Sequence, residues 1–370
     1  MSHEGNVRVA VVFGGRSNEH DVSCGSAASV LAHLDRRRYD VVPVKIEPDG
    51  SWIVGKDDPG LFTAADHRAR SFLVDDFARV HGGGAQALSG IPRALEQIQD
   101  CDVIFPALHG PYGEDGTLQA MLHMCGIPFV GNHVLASAVG MDKEYAKKLL
   151  AAAGLAVADG VVLRDERDRL PAADEERLGL PVYVKPARSG SSVGVSRVDT
   201  WEALPAAIAD AARSDRKVLV EAALTGREID VGVLERPDGS IEVSPPLEIR
   251  LAPHQRLFDH DAKYTDSGTT FEVPARLDPE ITEHLRELSL RAFAALECSG
   301  LLRVDFFVAD DGTATINEVN TFPGFTSSSQ YPRMWQAVGL GYAELLDVLI
   351  ETALRRAGRR STSALAANPS

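Results

Sequence analysis

Cysteine is scarce in this chain, with four residues among 370, at positions 24, 101, 125 and 298. No two of them form a C-x-x-C pair and their surroundings differ, which argues against a disulfide framework or a zinc site. All four are expected as buried thiols. Long apolar runs are missing too: no stretch reaches the roughly 18 apolar residues of a membrane helix, and Met1–Asn6 lacks the basic-then-apolar order of a signal peptide. A cytoplasmic protein without a membrane partner is expected. Positive charge is in deficit, 38 Lys and Arg against 53 Asp and Glu for a net charge of −15, and such a surface repels a nucleic acid backbone. Nucleic acid is therefore not an expected partner. The phosphate-loop pattern G-x-x-x-x-G-K-[ST] is absent, which disfavours a Walker-type ATPase.

What is present reads as a folded chain of two to three domains at roughly 100–200 residues each, with an ordinary 44% hydrophobic content. Val7–Phe13 is an apolar run ending at Gly14-Gly15, and Asp102–Leu108 is another ending at His109-Gly110. Both read as buried parallel strands. A helical pattern at Ser23–Leu34 and a strand at Val41–Ile46 between them give the rhythm of an open α/β sheet, whose ligands bind at the strand C-terminal ends. Residues 57–91, with Gly82-Gly83-Gly84, read as an excursion from this first unit. Further on, the pattern predicts a helix over 143–153 stopped by Gly154, strands around 181–185, 193–198 and 217–221, and a helix over 201–212. A third region carries strands at 229–234 and 302–308 and a long helix over 279–296.

The most informative geometry is Leu301–Ala309 and Thr313–Asn320, joined through Asp310-Asp311-Gly312, because Asp-Gly between alternating apolar runs signals a hairpin. A two-residue Asp311-Gly312 turn sets Asp305 opposite Glu318 and Arg303 opposite Asn320, all on one face. Two carboxylates about 5 Å apart repel unless a cation joins them, and Asp, Glu and Asn supply the oxygens Mg²⁺ prefers. The alternative is a solvated hairpin face with the register off by one.

Lys185-Pro186-Ala187-Arg188-Ser189-Gly190-Ser191-Ser192-Val193-Gly194 couples a lysine at a strand end to a loop of small residues, suited to covering phosphate oxygens. The same letters contain Gly190-Ser191-Ser192-Val193-Gly194, a formal G-x-S-x-G nucleophile elbow with Ser192 as the nucleophile. An elbow requires a helix next, whereas Val193–Val198 is alternating and β-branched. A plain surface turn is the third reading.

Taken in order, Gly14-Gly15-Arg16-Ser17-Asn18-Glu19-His20-Asp21-Val22-Ser23, Ala107-Leu108-His109-Gly110 with Gly113-Glu114-Asp115-Gly116-Thr117, Met141-Asp142-Lys143, the Lys185 loop, Ala262-Lys263-Tyr264 and Asn317-Glu318-Val319-Asn320-Thr321-Phe322-Pro323-Gly324 resemble the D-alanine-D-alanine ligases of the ATP-grasp fold. The likeness runs from Val7 to Arg355. It implies an α/β chain of ATP-grasp type: an N-terminal open parallel α/β substrate domain (1–140), then two α+β domains enclosing ATP, a central one (141–225) and a C-terminal one with the metal site (226–355). The remaining 356–370 is expected to be a disordered tail. The implied activity joins two D-alanines through an acyl phosphate, releasing ADP and phosphate, for peptidoglycan precursor synthesis. ATP and two Mg²⁺ ions, or Mn²⁺, are the implied cofactors, and a homodimer is left open.

By the same resemblance Lys143 and Lys185 meet the ATP phosphates, with Ser192 and Lys263 among the ATP contacts; Glu221, Ala223 and Leu224 read the adenine edge, and Glu228 holds the ribose. Asp305, Glu318 and Asn320 match the magnesium ligands, the residues the hairpin register brings together. Glu19 matches the group receiving the first substrate's ammonium, with Ser191 and Tyr264 as its partners across the closed site. His109 matches a substrate-side histidine. Arg303 and the Gly324 N–H match the oxyanion donors, and Ser329 a contact to the second substrate's carboxylate. Read alone, Glu19 also fits a carboxylate at a helix N-terminus, and His109 a structural histidine at a strand end.

Two positions depart from the family's pattern. Gln330 stands where an apolar residue is usual, beside the second-substrate pocket, and His260 where an aromatic is usual. The Gln330 amide facing the pocket would favour a polar second substrate such as D-serine, the alternative reading of the function; facing outward, it leaves D-alanine.

Overall fold

The computed structural model describes residues 6–58, 90–165, 168–251 and 268–366, and all that follows concerns those residues. Most of the excursion at 57–91 lies outside them, as do Lys263, Tyr264 and His260.

The first sheet is built from β1 (Val7–Gly14), β2 (Tyr39–Ile46), β3 (Trp52–Val54) and β4 (Val103–Pro106). Five consecutive residues of β1, Val9 to Phe13, are fully buried, and such a run needs cover on both faces. Accordingly β1 lies between β2 and β4 and parallel to both, with Val9 opposite Val41 on one side and Val103 on the other. The helices α1 (His20–His33), α2 (Gly90–Ile98) and α3 (Thr117–Met124) complete this unit. The first begins at His20 rather than at the expected Ser23. Gly14 has φ +87, and a Cβ there would lie 2.3 Å from the Ile46 carbonyl oxygen, so only glycine lets the chain turn off the sheet at this point. That turn delivers Glu19, and the chain leaving β4 delivers His109 to the same sheet edge.

The second unit follows α4 (Val134–Met141) and α5 (Lys143–Ala152). Asp142 caps α5 by accepting from the Tyr145 N–H, and Gly154 at φ +74 follows its end. Then come β5 (Gly160–Leu163), α6 (Ala172–Leu178), β6 (Val182–Pro186), β7 (Ser196–Val198), α7 (Leu204–Ala212) and β8 (Val218–Ala222), in an antiparallel sheet of order β5-β8-β6-β7. Only Ser196–Val198 of the expected strand at 193–198 pairs; the residues before it form the turn. Tyr183 lies opposite Glu221 and Lys185 opposite Leu219, so Lys185 is a diagonal, same-face neighbour of Glu221.

The third unit has β9 (Arg227–Glu235), β10 (Ile241–Val243), β11 (Leu247–Arg250), β12 (Thr270–Glu272), α8 (Pro279–Ala295), β13 (Leu301–Val308) and β14 (Ala314–Asn320), followed by α9 (Gln330–Gln336) and α10 (Tyr342–Ala366). Its sheet runs β12-β11-β9-β13-β14, with β10 also on β9. The β13–β14 connection is not the two-residue turn expected. The Ala309 N–H bonds to the Thr313 carbonyl, and Val308 pairs with Ala314, leaving Asp310-Asp311-Gly312 as a three-residue loop with Gly312 at φ +85. That shift would put the site pairs out of register. A β-bulge at Asn317 restores it: Phe306 faces Ile316, Asp305 faces Glu318 and Arg303 faces Asn320.

Two expectations are corrected here. The tail expected to be disordered continues α10 as far as Ala366; residues 355–366 contain no proline, and four Arg and three Ala among them are strong helix formers. Cys24 and Cys101 are buried, but Cys125 is exposed, beyond the end of α3, and Cys298 is half-buried. The front of α10 packs back on the first unit: Leu345, Leu346, Leu349 and Ile350 share one core with Val9, Val11, Phe13, Val30 and Phe105, and Asp347 pairs with Arg38 and Tyr39. Among the described residues no helix is long and apolar enough to cross a membrane.

Candidate active site

Two cavities adjoin at the meeting point of the three units. The first, about 570 Å³, is lined by Glu19, His109, Glu114, Gly324, Ser329 and neighbours. The second, about 710 Å³, lies between the second and third sheets and is lined by Lys185, Ser192, Glu221, Leu224, Glu228 and Asp305 among others. Lys143, Ser191, Arg303, Asn317, Glu318 and Gln330 line both. Of the sequence-predicted residues within the described segments, Ala223 alone lines neither: its N–H bonds to the Pro181 carbonyl, and Ala222 stands in its place on the wall.

Glu19 is the N-cap residue of α1, yet its side chain caps nothing. It reaches into the first cavity and accepts a short hydrogen bond from the Ser191 hydroxyl. The loop carrying Ser191 closes over it tightly. A Cβ on Gly190 would lie 2.4 Å from Glu19 Oε2, and one on Gly110 2.5 Å from the same oxygen. Ser191 and Ser192 sit at φ +50 and +58, a conformation costly for residues with a Cβ. No helix follows Ser192, only a turn into β7, which rules out the nucleophile elbow.

His109 is buried, and its Nε2 shares a 2.8 Å hydrogen bond with Ser26 Oγ. Burial holds its imidazole below the usual range and so favours the neutral ring. Glu114, which sequence reasoning did not single out, joins the first unit to the third: its carboxyl accepts the Gly110 N–H at 2.6 Å and the Phe322 N–H at 3.2 Å. Burial and then the Glu19 charge push it up to about 8. Ser329 is the N-cap residue of α9, and its Oγ turns away from the helix to accept the Thr326 N–H at 3.0 Å.

In the second cavity Lys185 Nζ is 2.7 Å from Glu221. Lys147, which lines the first cavity, lies 3.0 Å from the same carboxylate. Lys147 was missed by sequence reading, although it lies one helical turn beyond Lys143 on the same face. Burial and then Lys185 push Lys147 down to about 8, while the two lysines hold Glu221 low against its own burial. Lys143 bridges the cavities, donating to the Ser189 carbonyl at 2.8 Å with Glu318 3.7 Å away.

At the hairpin, Arg303 is buried and forks onto Asp305, Nε to Oδ1 and Nη2 to Oδ2 at 2.7 Å each. Burial opposes its charge, but Asp305 and then Asp230 outweigh it and hold it above the usual range. Asn320 Nδ2 donates to Asp305 Oδ2 at 2.9 Å. Oδ2 thus accepts two hydrogen bonds, while Asp305 Oδ1 accepts one and keeps a second lone pair. Two carboxylates and an amide on one strand pair make an oxygen-donor set of the kind a hard divalent cation takes.

The arrangement therefore offers a carboxylate and a histidine in one cavity, Lys185 in the neighbouring one, and the cationic groups of Lys143 and Arg303 where they join. That combination suits transfer of a phosphoryl group onto a substrate held next door. Comparison with known proteins agrees. Residues 8–132 match the family described as D-ala D-ala ligase N-terminus, and 149–351 the one described as D-ala D-ala ligase C-terminus. The chain is 53% identical over 359 residues to the D-alanine–D-alanine ligase of Mycobacterium tuberculosis (strain ATCC 25618 / H37Rv), covering 95% of this chain and 96% of that protein. Among solved structures it superposes on the D-alanine-D-alanine ligase from Coxiella burnetii with a TM-score of 0.81 at 32% identity, covering 98% and 97% of the two chains. It also superposes on the Bacillus anthracis enzyme complexed with ATP, with a TM-score of 0.73 at 29% identity, covering 96% and 99%. With both family profiles matched in order and half its residues shared with a named ligase, the chain belongs to the D-alanine-D-alanine ligase family.

Proposed function

We propose that this protein joins two D-alanines in an ATP-dependent reaction that releases ADP and phosphate. The observation that carries the reading is the wall shared by the two cavities at Lys143, Ser191, Arg303 and Glu318, which lets a nucleotide on one side meet a carboxylate on the other. A carboxylate is a poor acyl donor. Taking the γ-phosphoryl group gives it a leaving group, and the amine of the second D-alanine then displaces phosphate. Glu19 receives the first substrate's ammonium and Ser191 fixes the Glu19 carboxylate. Lys143 and Lys185 balance the phosphate charge. Arg303 and the Gly324 N–H face the carbonyl oxygen as negative charge builds on it, and Ser329 meets the acceptor's carboxylate. Asp305, Glu318 and Asn320 would hold Mg²⁺, whose chemistry here is to neutralise charge on the transferring phosphate. Relatives named for D-alanine at 53% identity favour D-alanine over D-serine as the second substrate.

The same reading includes a cytoplasmic location, where ATP is available, and a role in peptidoglycan precursor synthesis. Exposed Val134 and Leu135 on α4 offer apolar surface to a second copy in a homodimer. The direct test incubates the purified protein with ATP, Mg²⁺ and a panel of D-amino and D-hydroxy acids and identifies products by mass spectrometry. D-Alanyl-D-alanine with one phosphate released per peptide is expected. ATP use without peptide, or a mixed product in preference, would overturn the assignment.

A further inference from the structure

The third sheet carries a row of three acids. Asp305 on β13 stands opposite Glu318 on β14 and, across its other edge, opposite Asp230 on β9. Asp230 is only 2% exposed, and no motif drew attention to it. A buried carboxylate needs hydrogen-bonded, charged company. Asp230 Oδ2 lies 3.4 Å from Arg303 Nε and accepts the Gln330 Nε2–H at 3.0 Å. The other end of that amide turns to the same arginine: Arg303 Nη1 donates to Gln330 Oε1 at 3.5 Å. The Gln330 side chain thus faces inward, with its carbonyl and one N–H directed at protein groups.

We propose that Asp230 is a positioning residue for Arg303, acting directly and through the Gln330 amide. The inference rests on the proposed ligase reading, in which Arg303 meets the acyl oxygen. Asp305 grips two of the guanidinium nitrogens from one side, and the Asp230–Gln330 pair engages Nε and Nη1 from another. The guanidinium plane is then fixed on two sides even when Asp305 shares its remaining Oδ1 lone pair with another ligand. The pairing also gives a physical reason for a polar residue at 330: with an acid at 230, an apolar neighbour would remove that acid's amide donor. The amide is matched to Asp230 rather than to the side chain of an incoming substrate.

The test is a double-mutant cycle on the full chain with Asp230→Asn and Gln330→Met, following kcat, the KM for ATP and the thermal midpoint. Each single change should lower kcat by about tenfold or more, the scale of one hydrogen bond to a charged group, with the KM for ATP moving less than about twofold. The double variant should be no worse than the poorer single one, because both changes cut the same link. Effects that multiply, or kcat unchanged in Gln330→Met, would overturn the proposal. If Asp230→Asn fails to fold, Gln330→Met decides alone: lowered kcat at an unchanged thermal midpoint upholds the link, and unchanged kcat sinks it. A wild type that makes no peptide overturns the ligase reading and this inference with it, whereas peptide formation with additive variants overturns this inference only.

Discussion

Asp305 stands directly opposite Glu318 although the loop joining their strands is one residue longer than the sequence suggests, because the bulge at Asn317 cancels the shift. Both carboxylates therefore face the junction of the two cavities, with Lys143 3.7 Å from Glu318 and Arg303 on Asp305.

Glu318→Ala should lower turnover by about a thousandfold or more, since the acid helps collect the positive charge that stabilises phosphoryl transfer, while the thermal midpoint changes little. Steady-state phosphate release and a melting curve check it. Near-normal turnover would mean that the hairpin holds no catalytic metal.

Gly190→Ala tests the seal over Glu19. Its methyl would fall 2.4 Å from the carboxylate, so loop and acid must move apart. A loss of about a hundredfold in kcat/KM for the first D-alanine is expected, the scale of an ångström-sized misplacement, with nucleotide binding measured by calorimetry nearly intact. Equal losses for both substrates would contradict the placement.

Lys147 bears on nucleotide affinity. It is pushed down to about 8, so its charge is full at neutral pH and fades as pH rises through that value. The KM for ATP should climb about threefold to tenfold from pH 7 to pH 9, a modest change for one partly screened charge. In Lys147→Met that inflection should vanish. A profile identical in both proteins would show that Lys147 does not act on the nucleotide.

Glu114 bears on stability. Its carboxyl loses a proton near 4.5 when unfolded but keeps it up to about 8 when native. Between those values the native state binds more protons, so its contribution is full below 4.5 and is lost as pH rises through about 8. Thermal midpoints measured from pH 4.5 to 8.5 should fall more steeply for the wild type than for Glu114→Gln. Parallel curves would rule out a protonated native Glu114.

Periodicity and turn chemistry made the parallel strands of the first unit, the helix α5 and the β13–β14 pair legible, because each depends on local pattern. What escaped depends on neighbours distant in sequence. The bulge at Asn317 has no composition mark of its own. Asp230 reads as one polar position in an alternating strand, and only the alignment of three strands shows it beside Asp305 and Arg303. Lys147 carried a signal in its spacing from Lys143, but its pairing with Glu221 joins a helix to a strand 74 residues away. The resemblance assigns Ala223 to the adenine edge, and its N–H continues the β6–β8 ladder onto the Pro181 carbonyl, a pairing that only the sheet register reveals.

The return of α10 to the first sheet has a consequence for how the chain is made. The hydrophobic layer begun by Val9, Val11 and Phe13 is finished by Leu345, Leu346, Leu349 and Ile350, more than 300 residues later. During synthesis from the N-terminus the first strands wait, with apolar surface uncovered, until the last helix leaves the ribosome. The first unit to be translated is therefore among the last to be completed, and a chain that ends before residue 345 leaves that face of its opening sheet with α1 in place but without the cover that the last helix adds.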